Sequence, residues 1–365
     1  MSHHKKDHRG LNLKHTQHSD IPPMKHESVI TPSISQPQFG SYFIIDFKEK
    51  GCLIHNIGLE FIVSSITGLT GTQTSYPHYV PAIFFYHHIE IVINNNIIDT
   101  IYPLNAFVQQ QMFQDDQKRR ISNIAMGSYD SIAQRATLAS QQSSYYVDLS
   151  SFFKTCHYPC IYPKDDIQLR VYMNNVSDVV VQGTLTGTPS ASIVSCNLLT
   201  QLSRLHTNHA GLIANQLKAP HHYKFLETRF AIFSIPAPTS GSNTSIVLTP
   251  IVGSVAYLFF VCRYSTTSGV TTIPNYDDGY YSFNPITNFQ ILDNTGTNIT
   301  GGQVVKSQYA LSYLNQAWQQ SSYTGETAYG ITNNNANVYM YSFSADPIES
   351  TKHGVAYNAH RFQGN

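Results

Sequence analysis

The chain has 365 residues, enough for one large or two medium domains with a sizeable core. Only 12% of the residues are charged, half of the roughly 25% typical of soluble domains, and the 22 basic residues balance the 22 acidic ones. This neutrality argues against sequence-specific nucleic-acid binding by the body of the protein, because phosphate recognition needs concentrated positive charge. It favours a self-associating protein with large neutral interfaces.

The sequence shows no sign of export or of a disulfide framework. Its five cysteines are sparse and odd in number, so reduced thiols are expected. The first 20 residues contain no apolar segment of the kind that a secretory signal needs. These features predict a protein that is not secreted.

Residues 1–38 differ in composition from the remainder of the chain. Six of the 17 histidines precede residue 28, and the segments IPPM and ITPSISQPQ contain prolines that oppose regular structure. We expect a flexible, mildly basic N-terminal arm over residues 1–38. Its histidines are expected to be solvated and to gain charge below about pH 6.5 rather than to bind a metal.

From residue 40 the pattern is that of β-strands separated by turns. Runs rich in Ile, Val, Phe and Tyr alternate with segments that contain Gly, Asn and Pro. Apolar residues three and four apart predict a helix over 103–120. The predicted strands of the first half are 41–47, 53–63, 82–93, 143–149, 166–173, 178–185 and 192–199.

The second half repeats this order. A partly helical connector over 201–222 precedes it, and 301–318 again has a helical pattern. The predicted strands of the second half are 223–236, 245–265, 280–296 and 337–343. Such a long repeat suits two copies of one β-sandwich domain.

Two segments of the first half resemble a known family. KGCLIHNIGLEFIVSSITGLTG (50–71) is similar to the family's early Gly-x-Leu-Ile corner, in which Gly51, Leu53 and Ile54 match and Cys52 replaces a commonly acidic residue. IEIVINNNIIDTIYP (89–103) resembles the hairpin that follows, with Asp99 at the position of a common aspartate.

The resemblance continues through 144–175, 253–265 and 341–358, the last carried by Gly354 and Asn358. In order and spacing these segments resemble the double jelly-roll major capsid proteins of the adenovirus and nucleocytoplasmic large DNA virus lineage, which includes virophages, polinton-like viruses and tailless icosahedral phages. That family usually adds a final strand after the Gly…Asn segment, whereas this chain stops at Asn365. The difference predicts a truncated chain or a second sheet that is completed in another way.

The resemblance implies an all-β fold of two consecutive eight-stranded jelly-roll β-sandwiches, with short helices in the connections. The first jelly roll is expected at residues 39–200, the connector at 201–222 and the second jelly roll at 223–365. The implied function is that of a non-enzymatic major capsid protein, which forms homotrimeric, pseudo-hexagonal capsomers of an icosahedral DNA virus shell.

The expected partners follow from the same resemblance. They are neighbouring capsomers, minor capsid or penton proteins and, for an N-terminal arm that faces the interior, an internal membrane. The expected location is the virion capsid, assembled inside the host cell.

His88 and Glu90 suggest a metal site, because they alternate along a predicted strand and share a face, as the ligands of cupin enzymes do. The opposite face carries His87 and three isoleucines, which a core would take. The glycines that flank cupin ligands are missing. We therefore expect His88 and Glu90 to form part of a polar outer face that meets solvent or a neighbouring subunit.

The other candidate sites have ordinary explanations. CHYPC (156–160) lacks a second ligand pair, and His206, His209 and the pair at 221–222 are expected at an interface or in solvent. KRR (118–120) follows two aspartates that compensate it, and the glycine-rich stretches lack the strand-to-helix context of a phosphate loop. No catalytic, cofactor-binding or metal-binding residue is assigned, and no cofactor is expected.

Two alternative functions stay open from the residues alone. A glycan- or receptor-binding viral spike would also be built from two β-sandwiches, and loops rich in Asn and Tyr suit sugars. The Asn triplets at 94–96 and 333–335 are, however, what tight left-handed turns require. A cupin-type metalloenzyme is the third hypothesis, and stoichiometric metal in the purified protein would distinguish it.

Overall fold

A computed structural model describes the first half of the chain almost continuously and the second half in short segments. The described residues are 24–49, 52–72, 77–104, 106–107, 110, 116–129, 131–149, 160–161, 166–205, 245–247, 253–255, 257–260, 288–292, 296–298, 305–306, 339–342 and 360–362. Within these ranges, no helix has the length and apolar character needed to cross a membrane.

Four strands form the main part of the first sheet. They are β1 (Met24–Pro32), β3 (Cys52–Val63), β8 (Ser143–Asp148) and β13 (Ile193–Leu205), hydrogen-bonded in the order β1-β13-β3-β8. All three pairings are antiparallel. A short strand, β9 (Cys160–Ile161), also pairs with β3.

Four further strands form the second sheet. They are β2 (Tyr42–Asp46), β6 (Tyr86–Ile93), β7 (Asn96–Ile101) and β10 (Ile167–Met173), in the antiparallel order β2-β10-β6-β7. In chain order, β1, β3, β8 and β13 belong to one sheet, while β2, β6, β7 and β10 return to the other. This repeated crossing between two four-stranded antiparallel sheets is the connectivity of an eight-stranded jelly roll.

The inward faces of the two sheets share one apolar core. Alternate residues of β2, β8 and β10 are buried, as in β2, where Phe43 and Ile45 are 1% and 0% exposed. Phe85 lies at the centre, with edge-to-face contacts to the rings of Phe61 and Tyr145 at centroid distances of 5.8 and 5.5 Å. Burial of each such side chain contributes about 1.5–3 kcal/mol, so the core holds the two sheets together.

Smaller elements close the ends of the sandwich. Two ribbons pair β4 (Thr67–Thr70) with β12 (Thr186–Ser190) and β5 (His78–Tyr79) with β11 (Val180–Val181). A 3-10 helix (Ala82–Phe84) precedes β6, and the α-helices are α1 (Asp116–Ala125), α2 (Ile132–Ala139) and α3 (Val176–Val179).

The local predictions are confirmed in most places and wrong in several. The strand predicted over 82–93 begins only at Tyr86, because Ala82–Phe84 form the 3-10 helix. The helix predicted over 103–120 is confirmed in two places. The described residues 103–104, 106–107 and 110 are helical, and α1 begins at Asp116. The strand predicted over 178–185 is wrong at Asp178 and Val179, which lie in α3. The predicted connector also begins too early, because β13 continues to Leu205; residues 206–222 lie outside the described part.

The prediction of a flexible arm through residue 38 is wrong for residues 24–38. Met24–Pro32 form β1, which pairs with β13 along its whole length, from Met24 opposite Leu205 to Pro32 opposite Asn197. Beyond β1, the side chain of Gln36 donates hydrogen bonds of 3.1 Å to the carbonyl oxygens of Ile193 and Val194. Pairing with a strand distant in sequence outweighs the low apolar content and the prolines of this segment.

The described strands of the second half also pair antiparallel. The pairs are β14 (Gly253–Val255) with β19 (His360–Phe362), β15 (Tyr257–Phe260) with β18 (Tyr339–Ser342), and β16 (Asn288–Phe289) with β17 (Val305–Lys306). β17 lies where a helical pattern was predicted, so that prediction is wrong at these two residues. β19 follows the Gly354…Asn358 segment, so a strand is present there.

Candidate functional site

His88 and Glu90 lie on the outer face of the second sheet. On β6, Ile89 and Ile91 are 0% and 1% exposed and enter the core, as predicted. The side chains of His88 and Glu90 lie on the opposite face and are 21% and 15% exposed. Val92 departs from the alternation, because it is also buried beside a bulge in the β6–β7 pairing.

The Glu90 carboxylate is engaged by its neighbours within the sheet. The hydroxyl of Tyr172, on the adjacent strand β10, donates a hydrogen bond to Oε2 over 3.2 Å. The Arg170 guanidinium lies 3.9 Å from the same oxygen, and His88 Nε2 lies 3.9 Å from Oε1. The negative charge is therefore compensated by side chains of two adjacent strands.

The His88 imidazole is a packed aromatic ring. It stacks on the Tyr172 ring at a centroid distance of 4.2 Å and an interplanar angle of 13°. Its Nδ1 lies 2.8 Å from Nδ1 of His87, which requires at least one of the two rings to be neutral. Burial, and then the proximity of His87, lower the pKa of His88, whereas Glu90 acts to raise it.

The stacked pair is the centre of a longer row of rings that we call the aromatic row: Tyr42, Tyr172, His88 and Tyr102. The row crosses the sheet from β2 to the end of β7. Tyr42 stacks on Tyr172 at 5.4 Å, and the Tyr102 ring lies 6.0 Å from that of His88. The cross-strand register explains the order, since Tyr172 is directly opposite both Tyr42 and His88.

The Asn triplet closes the β6–β7 hairpin as predicted. Asn94 and Asn95 have φ angles of 49° and 65°, the left-handed pair that a two-residue turn between antiparallel strands requires. Their side chains also reach β10: Asn94 Oδ1 accepts a hydrogen bond from the backbone N–H of Asp166, and Asn95 Oδ1 accepts one from Arg170, each over 3.1 Å. The turn is thereby tied to the neighbouring strand.

The described ranges contain no group of three His, Cys, Asp or Glu side chains placed to hold a metal ion. His88 and Glu90 are adjacent, but ring stacking and the Tyr172 and Arg170 contacts engage them already. Cys156, His206, His209 and the histidines at 221–222 lie outside the described residues, as do the side chains of Cys160, Lys118 and Arg119. Cys52 and Cys196 are buried thiols, and burial raises the pKa of both.

An ion-pair cluster at the paired strands β1 and β13 was missed by the sequence reasoning. Arg204 Nε on β13 lies 2.6 Å from Oε2 of Glu27 on β1, and its Nη2 contacts Glu49. Lys25 adds a 2.6 Å pair with Glu27 and, with Arg204, lowers the pKa of that carboxyl.

An open groove of about 410 Å³ lies alongside this cluster. It is lined by His26, Glu27, Ser28, Gln201 and Leu202. No local sequence pattern predicts the ion-pair cluster, because Glu27 and Arg204 are 177 residues apart.

A second missed feature is the buried contact between His78 and Arg135, which are 2% and 4% exposed. Arg135 Nη1 lies 3.2 Å from His78 Nε2. Because a guanidinium only donates, Nε2 accepts and the imidazole is neutral with its proton on Nδ1. The contact joins α2 to β5 across the interior, so its role is structural.

Comparison with known proteins identifies the family. A family model described as "Major capsid protein N-terminus" matches residues 24–210. No curated protein sequence matches the chain significantly.

Solved structures share the fold at low sequence identity. The PBCV-1 virus capsid has a TM-score of 0.64 and 18% identity over 95% of this chain and 83% of its own. The Faustovirus major capsid protein has a TM-score of 0.56 and 8% sequence identity, and the match covers 98% of this chain and 87% of that protein. The Sputnik virophage structure has a TM-score of 0.56 and 10% sequence identity, and the match covers 99% of this chain and 83% of that one.

These likenesses show the fold, an all-β double jelly roll, whose first jelly roll, with eight strands in its two main sheets, occupies residues 24–205. The segment that the family model matches, residues 24–210, therefore contains the first jelly roll in full and slightly more than half of the chain. The chain belongs to the family of viral major capsid proteins.

Proposed function

We propose that this protein is the subunit of homotrimeric, pseudo-hexagonal capsomers in the shell of an icosahedral DNA virus. The observation that carries the proposal is the coincidence of a complete eight-stranded jelly roll, at residues 24–205, with the segment matched by the capsid family, at 24–210. Three chains with two such sandwiches each supply six similar blocks, which accounts for a nearly hexagonal outline.

The proposal includes a division of the chain into two jelly rolls. The first extends from β1 to β13, and the second occupies residues 223–365 after a connector. Three antiparallel strand pairs in the second half support this division, among them β14 with β19, which joins residues more than 100 positions apart.

The function is mechanical and involves no catalytic step. A chain with equal numbers of acidic and basic residues builds extensive contacts between copies without accumulating repulsion. The proposed partners are the other subunits of the trimer, neighbouring capsomers, and minor capsid or penton proteins. An internal membrane, reached through the N-terminal arm, is a further proposed partner, and assembly is proposed to take place in the host cell.

A glycan-binding or receptor-binding spike is not favoured, because the matching family is that of major capsid proteins.

The test is the mass and shape of the purified full-length protein. Size-exclusion chromatography with light scattering is expected to give three times the 40.9 kDa chain mass at micromolar concentration. Negative-stain images are expected to show pseudo-hexagonal particles. A stable monomer under these conditions would contradict the proposal.

A further inference from the structure

The outer face of the second sheet has the composition of a buried interface. None of its four strands, β2, β6, β7 and β10, contains a lysine. Solvent-facing sheets and their edges are usually protected by lysine and other charged residues, whereas interface centres are depleted in lysine and enriched in tyrosine and arginine. This face follows the second pattern.

Large apolar and aromatic side chains are exposed along both edges of this sheet. On the edge strand β2, Tyr42 is 58% exposed in the isolated chain although its ring is stacked on Tyr172. On the opposite edge strand, β7, the consecutive residues Ile97 and Ile98 are 54% and 36% exposed. A rigid, pre-stacked tyrosine binds at low entropic cost, because its side chain is already ordered before contact.

Two opposite charges of the face, those of Glu90 and Arg170, compensate each other within it. Glu90 is hydrogen-bonded by Tyr172 and faces Arg170, and Arg170 also donates to Asn95 over 3.1 Å. This part of the face can be covered by a neutral partner without leaving the Glu90 or the Arg170 charge unpaired, which is the usual obstacle to burial. A strongly charged partner would gain little from it.

We propose that this face, centred on the aromatic row, is covered by a second copy of the chain within the capsomer. The inference rests on the proposed function, since a neutral copy of the same protein is the partner that capsid assembly supplies. Tyr42 is the anchor of the contact, as the most exposed member of a row whose other rings fix its orientation.

The experiment compares Tyr42→Arg with Ile30→Arg. Ile30 is a similarly exposed large hydrophobic residue, 63% exposed on β1 of the other sheet, and serves as the matched control. Light scattering across a dilution series is expected to show a dissociation constant at least about tenfold higher for Tyr42→Arg than for Ile30→Arg. The reason is that loss of a tyrosine that anchors an interface weakens binding by about tenfold or more. Tyr42→Phe keeps the ring and is expected to assemble like the unchanged protein.

A second readout does not depend on any substitution. Hydroxyl-radical footprinting of the unchanged protein is expected to show Tyr42 protected several-fold in the oligomer relative to the diluted monomer. Circular dichroism of each variant checks that the fold is kept.

The outcomes separate this inference from the proposed function. If the unchanged protein is a monomer at every concentration, both fail. If it is a trimer in which Tyr42 stays reactive and Tyr42→Arg assembles normally, the proposed function stands and this face is not the contact. Equal loss of assembly in Tyr42→Arg and Ile30→Arg would also overturn the assignment to this face.

Discussion

The Tyr146 ring lies directly over Gly58 on the outer face of the first sheet, so that a Cβ atom at position 58 would overlap the Tyr146 hydroxyl and ring. Tyr146 on β8 and Gly58 on β3 are diagonal neighbours, because Gly58 pairs with Asp148 and Tyr146 with Glu60. Burial of the Tyr146 side chain and, to a smaller extent, the charge of Asp148 raise the pKa of Tyr146 to about 12. The glycine is therefore required by the tyrosine that covers it.

We predict that Gly58→Ala lowers the free energy of unfolding by about 1–3 kcal/mol, the usual cost of overpacking. The urea midpoint at fixed protein concentration measures the effect. The matched control is the same substitution in a Tyr146→Ala background, where the overlap is gone and the cost should disappear. An equal loss in both backgrounds would show that Tyr146 is not the cause.

Replacement of tyrosine by phenylalanine is expected to have different effects on stability at two buried positions of the core. Tyr86 is 0% exposed, and among the described residues its hydroxyl has no hydrogen-bond partner. Tyr79 is 3% exposed, and its hydroxyl donates to the Ser64 carbonyl oxygen over 2.8 Å. Removing an unpaired buried hydroxyl relieves a desolvation cost, whereas removing a paired one leaves a carbonyl unsatisfied.

We therefore expect Tyr86→Phe to be neutral or stabilising, and Tyr79→Phe to be destabilising by about 1 kcal/mol. Thermal unfolding of the two variants, measured side by side, checks both directions at once. Destabilisation of Tyr86→Phe equal to that of Tyr79→Phe would mean that the Tyr86 hydroxyl is hydrogen-bonded after all.

The hairpin turn predicts a difference between two substitutions of Asn95. Its φ of 65° is left-handed, which glycine adopts freely and a β-branched residue resists. Asn95→Gly is expected to lose only the bond from Arg170, whereas Asn95→Val should cost about 1–3 kcal/mol of stability. Hydrogen exchange of the β6 and β7 amides measures the loss locally, and equal protection in both variants would argue against the left-handed turn.

The His88 ring predicts a dependence of stability on pH. Its folded-state pKa is lowered below the ordinary value of 6.5, mainly by burial, so the unfolded chain binds the proton more readily. The contribution to the free energy of unfolding is complete above about pH 6.5 and is lost as the pH falls through the lower folded-state pKa. The groups that face the ring are His87, Glu90, Tyr172 and Tyr102.

Accordingly, His88→Phe, which keeps a stacked ring without the titration, should show a smaller fall in urea midpoint between pH 7.5 and pH 5 than the unchanged protein. His18→Gln, in the N-terminal segment outside the described residues, is the control for removing one histidine. If both variants behave like the unchanged protein, His88 does not contribute to the acid sensitivity.

Sequence reasoning succeeded where the signal is local. The β6–β7 hairpin was predicted with its inward isoleucines and its Asn turn, because alternation and left-handed φ angles are properties of neighbouring residues. It failed for β1, whose composition resembles a solvated arm. The partner of β1, β13, begins more than 160 residues later and supplies both the backbone hydrogen bonds and the Arg204 contact to Glu27.

Alternation along β6, which can be read from neighbouring residues alone, specifies which side chains share a face: His88 with Glu90, and Ile89 with Ile91. What each face contacts depends on long-range strand pairing, since the strand that lies beside β6 is β10, about 80 residues away. That pairing places Tyr172 on His88 and Arg170 beside Glu90, so the two polar residues become part of an aromatic surface in which the Glu90 charge is compensated. The reason is physical: alternation is set by backbone geometry within one strand, whereas the choice of neighbouring strand depends on the burial of the whole core.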